Sequence, residues 1–291
     1  MKIIVTGATG LVGRALVAHC SGHGDEVLGY DRQSLDISDP VAVESTVMDQ
    51  RPDAVINCAA WTDVDACESN AAKARQANGD GPENLARAAR QSNAVLITIS
   101  TDYVFDGEKK GFYTQLDQPR PLSVYGRAKL EGELRAQQAY ERTIVVRSGY
   151  IFGPGGKNFL SAVVRLAQRG EQLKAISDYW GTPTYVRDLT ARLRELAQLD
   201  LPGIYHVVSA GEGASFETFT REALKLASLD AKLVEAVEGA KLHRPAARPR
   251  NSRLKCLRSE AIGLAPLPDW REGLADFVSG LTQGARRAQI P

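Results

Sequence analysis

The chain has 291 residues, 43% of them hydrophobic and 24% charged, and a formal net charge of +1. That is enough apolar material for one large domain or two modest ones, and the near-neutral balance calls for no nucleic acid, acidic partner or membrane surface. Cys20, Cys58, Cys67 and Cys256 show no CxxC spacing and no paired histidines, so reduced thiols are expected rather than a zinc site or a disulfide framework. No charged n-region followed by an apolar run opens the sequence, and no stretch of eighteen apolar residues follows, so a cytoplasmic location is the expectation.

Lys2-Ile3-Ile4-Val5-Thr6 reads as a short buried strand running into Gly7-Ala8-Thr9-Gly10-Leu11-Val12-Gly13. Glycines in GxxGxxG spacing allow a tight turn, close backbone approach to a pyrophosphate, and a helix N-terminus aimed at its charge. A helix over 10–20, a strand over 26–30, a helix over 41–50 and a strand over 54–58 follow, then a long helical stretch over 71–91 and a strand over 94–100. A helix carrying Tyr125 and a strand over 143–147 complete the pattern of a doubly wound, Rossmann-like parallel α/β sheet. In such sheets the ligand crevice lies at the carboxyl ends of the strands, where Gly7, Asp31, Ala59, Thr101 and Ser148 fall. Residues 1–150 read as a dinucleotide-binding domain. Past residue 150 the turn content rises, as in Gly153-Pro154-Gly155-Gly156, and residues 151–291 read mainly as a smaller substrate-binding lobe, with segments such as 203–208 returning to the main sheet. The tail over 282–291 is expected to fray.

Three groups of residues carry chemistry. In Tyr125-Gly126-Arg127-Ala128-Lys129 a helical spacing of four puts a phenol and an ammonium on one face, where the cation favours phenolate and assists proton transfer. Thr101, at the end of the fourth strand, can hydrogen-bond a reacting carbonyl oxygen beside that phenol, with Ser100 as a neighbour and Asn78 supporting from an adjacent helix. Asp31 follows the second strand where a carboxylate binds ribose hydroxyls, while the adjacent Arg32 can pair with a 2′-phosphate, so NADH and NADPH are both expected.

The glycine variant and the YxxxK pattern resemble the extended short-chain dehydrogenase/reductases, whose tyrosine and lysine are the catalytic pair. Ser100-Thr101-Asp102-Tyr103-Val104-Phe105-Asp106-Gly107, with Ala59-Ala60-Trp61-Thr62-Asp63-Val64-Asp65 before it and Tyr125 to Glu133 after it, resembles the dTDP-4-dehydrorhamnose reductase family. Arg147-Ser148-Gly149-Tyr150, Asn158-Phe159, Gly181-Thr182-Pro183-Thr184 and Arg248-Pro249-Arg250-Asn251-Ser252-Arg253-Leu254 are similar to its later motifs, so the resemblance spans nearly the whole chain. It implies NADPH- or NADH-dependent reduction of the C4 ketone of dTDP-4-dehydro-L-rhamnose. It also implies catalytic roles for Thr101, Tyr125 and Lys129, with a cationic Lys129 lowering the Tyr125 pKa. Cofactor contacts would come from Gly7, Thr9, Gly10, Leu11, Val12, Gly13, Asp31, Arg32, the adenine-contacting pair Asp36-Ile37, Ala59, Ala60, Tyr125 and Lys129. Substrate contacts would come from Thr101, Asp102, Tyr150 and Arg250.

Two positions depart from the family pattern. Tyr150 stands where a tryptophan often packs on the sugar. Arg14 and Ala15 follow Gly13 where some members place a glutamate that helps bind magnesium at a dimer interface, so no metal site is expected, although a homodimer remains compatible. Two other readings stay open on the residues alone. One is a non-catalytic regulatory subunit resembling the beta subunit of methionine adenosyltransferase, and the other is a nucleotide-sugar epimerase or dehydratase that returns the hydride to its substrate.

Overall fold

The computed structural model describes residues 1–156 and 159–287. Its centre is a six-stranded, all-parallel sheet. The strands are β1 (Lys2–Thr6), β2 (Glu26–Tyr30), β3 (Ala54–Asn57), β4 (Val95–Thr101), β5 (Thr143–Ser148) and, on the far edge, Gly203–His206. In space they run Gly203–His206, β5, β4, β3, β1, β2, so the strand order reverses beside β1 and opens a crevice between the carboxyl ends of β1 and β3.

Apolar runs buried on both faces make this sheet, as parallel packing requires. Ile3, Val5, Ile56, Ile97, Ile144 and Val146 face one core together with Leu16, Leu189, Leu193 and Leu196. Ile4, Val55 and Leu96 face the other together with Val43, Val47, Leu85 and Ala89. The period of two along each strand therefore sorts side chains between two helical layers. One layer combines α1 (Leu11–Gly22) with the helix Val186–Leu199, and the other includes α2 (Pro40–Gln50), α5 (Gly81–Ser92) and α6 (Val124–Ala139), after α3 (Val64–Ser69) and α4 (Ala71–Arg75). Residues beyond 150 thus supply both an edge strand and a covering helix to the main body. A further core of Phe152, Leu160, Tyr185, Phe219, Trp270 and Phe277 lies under the helices Phe216–Leu226 and Trp270–Arg287.

The helix expected over 71–91 is interrupted. Between α4 and α5, Gln76–Asp80 forms a single π-helical turn. Gly79, Gly81 and Pro82 weaken the regular ladder here, since glycine adds backbone entropy and Pro82 offers no N–H. Of the tail expected to fray over 282–291, residues 282–287 instead continue the helix Trp270–Arg287, and Asn158 and residues 288–291 lie outside the described residues. Among the described residues no helix is long and apolar enough to cross a membrane.

Candidate active site

The first wall of the crevice is the turn after β1. Gly7 sits at φ +65°, and a Cβ there would lie 2.7 Å from the Ala59 nitrogen, so only glycine lets this turn touch the loop after β3. At Gly13 a Cβ would stand 2.1 Å from the Gly7 carbonyl oxygen, which fixes how closely α1 approaches the turn. Gly10 caps α1 with extended backbone and no side-chain hydrogen bond, leaving the first N–H groups and the positive end of the helix dipole directed at the cleft that Gly10, Leu11 and Val12 line. Thr9 is exposed on the same turn. This turn, whose backbone packing at Gly7 and Gly13 leaves no room for a Cβ, fits a pyrophosphate.

Two buried asparagines hold the opposite lip. Asn57, at the end of β3, accepts from the Thr6 hydroxyl at 2.7 Å and from the Ala59 N–H at 3.0 Å, and donates to Thr98 Oγ1 at 3.1 Å. It ties β1, β3 and β4 together where they end and sets the path of Ala59 and Ala60. Asn78, from the π-helical turn, accepts from the Trp61 N–H at 2.9 Å and donates to the Trp61 carbonyl at 3.0 Å. Its amide is spent on that loop, so Asn78 supports the centre at one remove. Asn57 was not singled out from the sequence. A lone polar residue closing an apolar strand was the available signal.

The cleft itself has a volume of about 520 Å³ and gathers Cys58, Ala59, Ala60, Ser100, Thr101, Asp102, Tyr125, Lys129, Ser148 and Tyr150. Ser123 starts α6 by accepting from the Gly126 N–H at 3.1 Å, which places Tyr125 in the first turn. Gly126 lets that turn rest on the short helical turn Asp102–Val104, since a Cβ would meet the Tyr103 carbonyl oxygen at 2.4 Å. Four residues on, Lys129 is 4% exposed and donates to the Ile99 carbonyl at 2.7 Å. Burial lowers its pKa to about 8, opposed by Glu133 and Cys58. The Tyr125 pKa is not lowered as expected: burial pushes it well above the ordinary phenol value, and only the hydrogen bond with Thr101 pulls it down. The protein alone therefore keeps the phenol protonated.

Behind Lys129, Arg147 and Glu133 form a buried ion pair with contacts of 2.7 to 3.1 Å, and Ser100 donates to the same carboxylate. This fixes the strand end that carries Thr101. The Thr101 hydroxyl accepts from the Tyr103 N–H at 3.1 Å and donates to Asp102 Oδ1 at 3.1 Å. Asp102 is 5% exposed, and burial raises its pKa to about 6 against hydrogen bonds from Ser252 and Thr101. A Cβ on Gly149 would stand 2.4 Å from the Asp102 carboxyl carbon, so this carboxyl has a fitted place.

Other expected contacts are distributed unevenly. Asp31 Oδ1 accepts from the Gln33 N–H, the Ser34 N–H and the Ser34 hydroxyl at 2.9 to 3.0 Å, which lowers its pKa and leaves Oδ2 for another donor. Arg32 is largely exposed and leans 3.5 Å from Asp36. Ile37 is buried in the core against Leu85, so only its backbone is available to a ligand. Tyr150 lines the cleft with φ +54° and packs on Phe216 and Phe219 at ring distances of 4.3 and 5.1 Å. Its hydroxyl and that of Ser148 are buried without a hydrogen-bond partner among the described residues. Arg250 does not line the cleft. It is exposed, and it is its backbone that is engaged, the carbonyl accepting from the Trp180 N–H at 2.7 Å. Arg244 and Arg248 from the same loop line the cleft instead, with Arg248 held by Asp65 at 2.8 Å.

The family model described as the RmlD substrate binding domain matches residues 1–283. The dTDP-4-dehydrorhamnose reductase of Streptomyces griseus is 38% identical over 290 residues, covering 98% of this chain and 95% of that protein. A solved dTDP-4-dehydrorhamnose reductase of Clostridium acetobutylicum has a TM-score of 0.93 at 36% identity, covering 97% of this chain and 100% of the other. The structure of the Bacillus anthracis dTDP-4-dehydrorhamnose reductase in complex with NADP has a TM-score of 0.92 at 32% identity, covering 96% and 100%. With a family model spanning nearly its full length and relatives above 30% identity, the chain belongs to the dTDP-4-dehydrorhamnose reductase family.

Proposed function

We propose that the protein reduces the C4 ketone of dTDP-4-dehydro-L-rhamnose to dTDP-L-rhamnose with NADPH or NADH. The observation that carries this reading is convergence: Tyr125, Lys129 and Thr101, from a helix and a strand end, line one cleft with the uncapped start of α1. The Leu11 and Val12 N–H groups hold the pyrophosphate, and the free Asp31 oxygen takes a ribose hydroxyl. Arg32 is available to a 2′-phosphate at small cost, because an exposed ion pair such as that with Asp36 is worth only about 0 to 1 kcal/mol. Both cofactors are therefore accommodated, and the bound nicotinamide supplies the hydride that reaches the ketone carbon.

Tyr125 delivers the proton to the ketone oxygen, and burial favours this by keeping the phenol in the form that reduction consumes. Lys129 stabilises the phenolate that remains, and Thr101 orients the oxygen. Ser148 and Tyr150, whose hydroxyls are buried without a partner among the described residues, meet the sugar hydroxyls, since leaving such groups unmatched costs about 1 to 3 kcal/mol each. Arg244 and Arg248 face the diphosphate through charge-assisted hydrogen bonds. In this arrangement residues 1–150 hold mainly the dinucleotide and residues from 151 onward mainly the sugar nucleotide.

The test is oxidation of NADPH and of NADH by the purified protein with a panel of dTDP-4-keto-6-deoxy sugars, with the alcohol product identified. Ketone-dependent oxidation with dTDP-4-dehydro-L-rhamnose supports the reading. Tight cofactor binding with no turnover on any sugar would replace it with the regulatory-subunit reading.

A further inference from the structure

The Thr101 hydroxyl has one proton to give, and Asp102 takes it. Thr101 Oγ1 accepts from the Tyr103 N–H and donates to Asp102 Oδ1, each at 3.1 Å. While Asp102 is a carboxylate it can only accept, so the Thr101 oxygen presents a lone pair to the cleft. A lone pair repels a ketone oxygen, so no proton is aimed where negative charge develops on reduction. A neutral Asp102 reverses the order: its own O–H donates to Thr101 Oγ1, and the Thr101 proton is released toward the cleft.

We propose that Asp102 is a positioning residue whose neutral acid form turns the Thr101 hydroxyl into a donor to the ketone oxygen. This rests on the reductase reading above. The surroundings shift Asp102 toward the neutral form relative to an exposed carboxyl. Asp102 is faced by Thr101, by Ser252 from the opposite loop, by the phenols of Tyr103 and Tyr125, and by the Gly149 backbone. Lys129, Arg244 and Arg248 line the same cleft, yet among the described residues none makes an ion pair with Asp102. Burial raises the carboxyl to about pH 6. The proton stays within the pair: no bond to carbon is made or broken through Asp102, and Tyr125 remains the group that loses its proton.

The turnover number for ketone reduction, followed in the parent from pH 5 to 7.5, below the Lys129 pKa of about 8, should descend with a midpoint near 6 toward a level about a hundredfold lower, the order expected when one donor to a developing oxyanion is lost. Asp102→Asn keeps the shape and carries an N–H that donates to Thr101 throughout this range, so its turnover number should not vary with pH and the limb should vanish. An unchanged limb in Asp102→Asn, or a folded Asp102→Asn as inactive as Thr101→Val at all pH values, would overturn the proposal. If Asp102→Asn does not fold, difference infrared spectra of the parent decide. A carboxylic-acid carbonyl band should appear below about pH 6 and shift in Thr101→Val, and its absence also overturns the proposal. The infrared readout needs no turnover, so a parent that reduces no keto sugar would sink the reductase reading separately.

Discussion

Replacing Lys129 with methionine should make the protein more stable and inactive at once. The ammonium is 4% exposed, and burial lowers its pKa from 10.5 to about 8, so holding it charged costs about 3 kcal/mol relative to the neutral amine. Losing its hydrogen bond to the Ile99 carbonyl returns about 1 kcal/mol of that. The net expectation at pH 6, measured without added cofactor, is a gain of about 2 kcal/mol for Lys129→Met, with methionine filling most of the same volume. Between pH 8 and 10.5 the folded parent binds fewer protons than the unfolded chain, so its stability rises with pH across that window while the variant's does not. Urea unfolding at pH 6 and near pH 10 should therefore show a gap that narrows on going alkaline. A variant less stable than the parent at pH 6, or a gap independent of pH, would mean that Lys129 is held charged at little cost and that the desolvation argument is wrong.

The parts of this molecule that were legible in the sequence are those whose cause is local. Ile3 to Val5 and Val95 to Ile97 are apolar runs that only a buried strand accommodates, and the glycines at 7 and 13 report a turn with no room for Cβ atoms. Tyr125 and Lys129 are joined by one helical turn, so their shared face follows from spacing alone. What stayed hidden depends on chain segments far apart. Asn57 matters because Thr6 and Thr98 flank it across three strands, and Glu133 because Arg147 and Ser100 converge on it. The choice among arginines turned on where a loop points: Arg250 engages Trp180 through its backbone and projects outward, leaving the cleft to Arg244 and Arg248. The lowered Tyr125 pKa failed for a related reason, since burial and the path of Lys129 to Ile99 are tertiary facts.

Arg244→Ala should raise KM for the nucleotide sugar roughly tenfold, the loss of about one charge-assisted hydrogen bond, while Arg250→Ala leaves it unchanged; the opposite order in steady-state kinetics would restore Arg250 to the site. Asp31→Ala should weaken NADH more than NADPH in fluorescence titrations, because it removes a ribose acceptor and leaves Arg32; an equal loss for both would take Asp31 out of cofactor choice. Gly13→Ala, with a Cβ 2.1 Å from the Gly7 oxygen, should push α1 off the turn and weaken both cofactors together. Tyr125→Phe is the decisive case for the chemistry, because it deletes one oxygen and leaves the ring packed edge-on to Tyr103 at 6.3 Å. Loss of the proton donor should lower turnover by about a hundredfold to ten-thousandfold with cofactor affinity intact. It should cost no more than about 1 kcal/mol of stability, since Thr101 keeps Asp102 and the Tyr103 N–H as partners. A variant that reduces the keto sugar at the parent rate would show that the proton comes from elsewhere, and Asp102, acting through Thr101, would then be the first group to suspect.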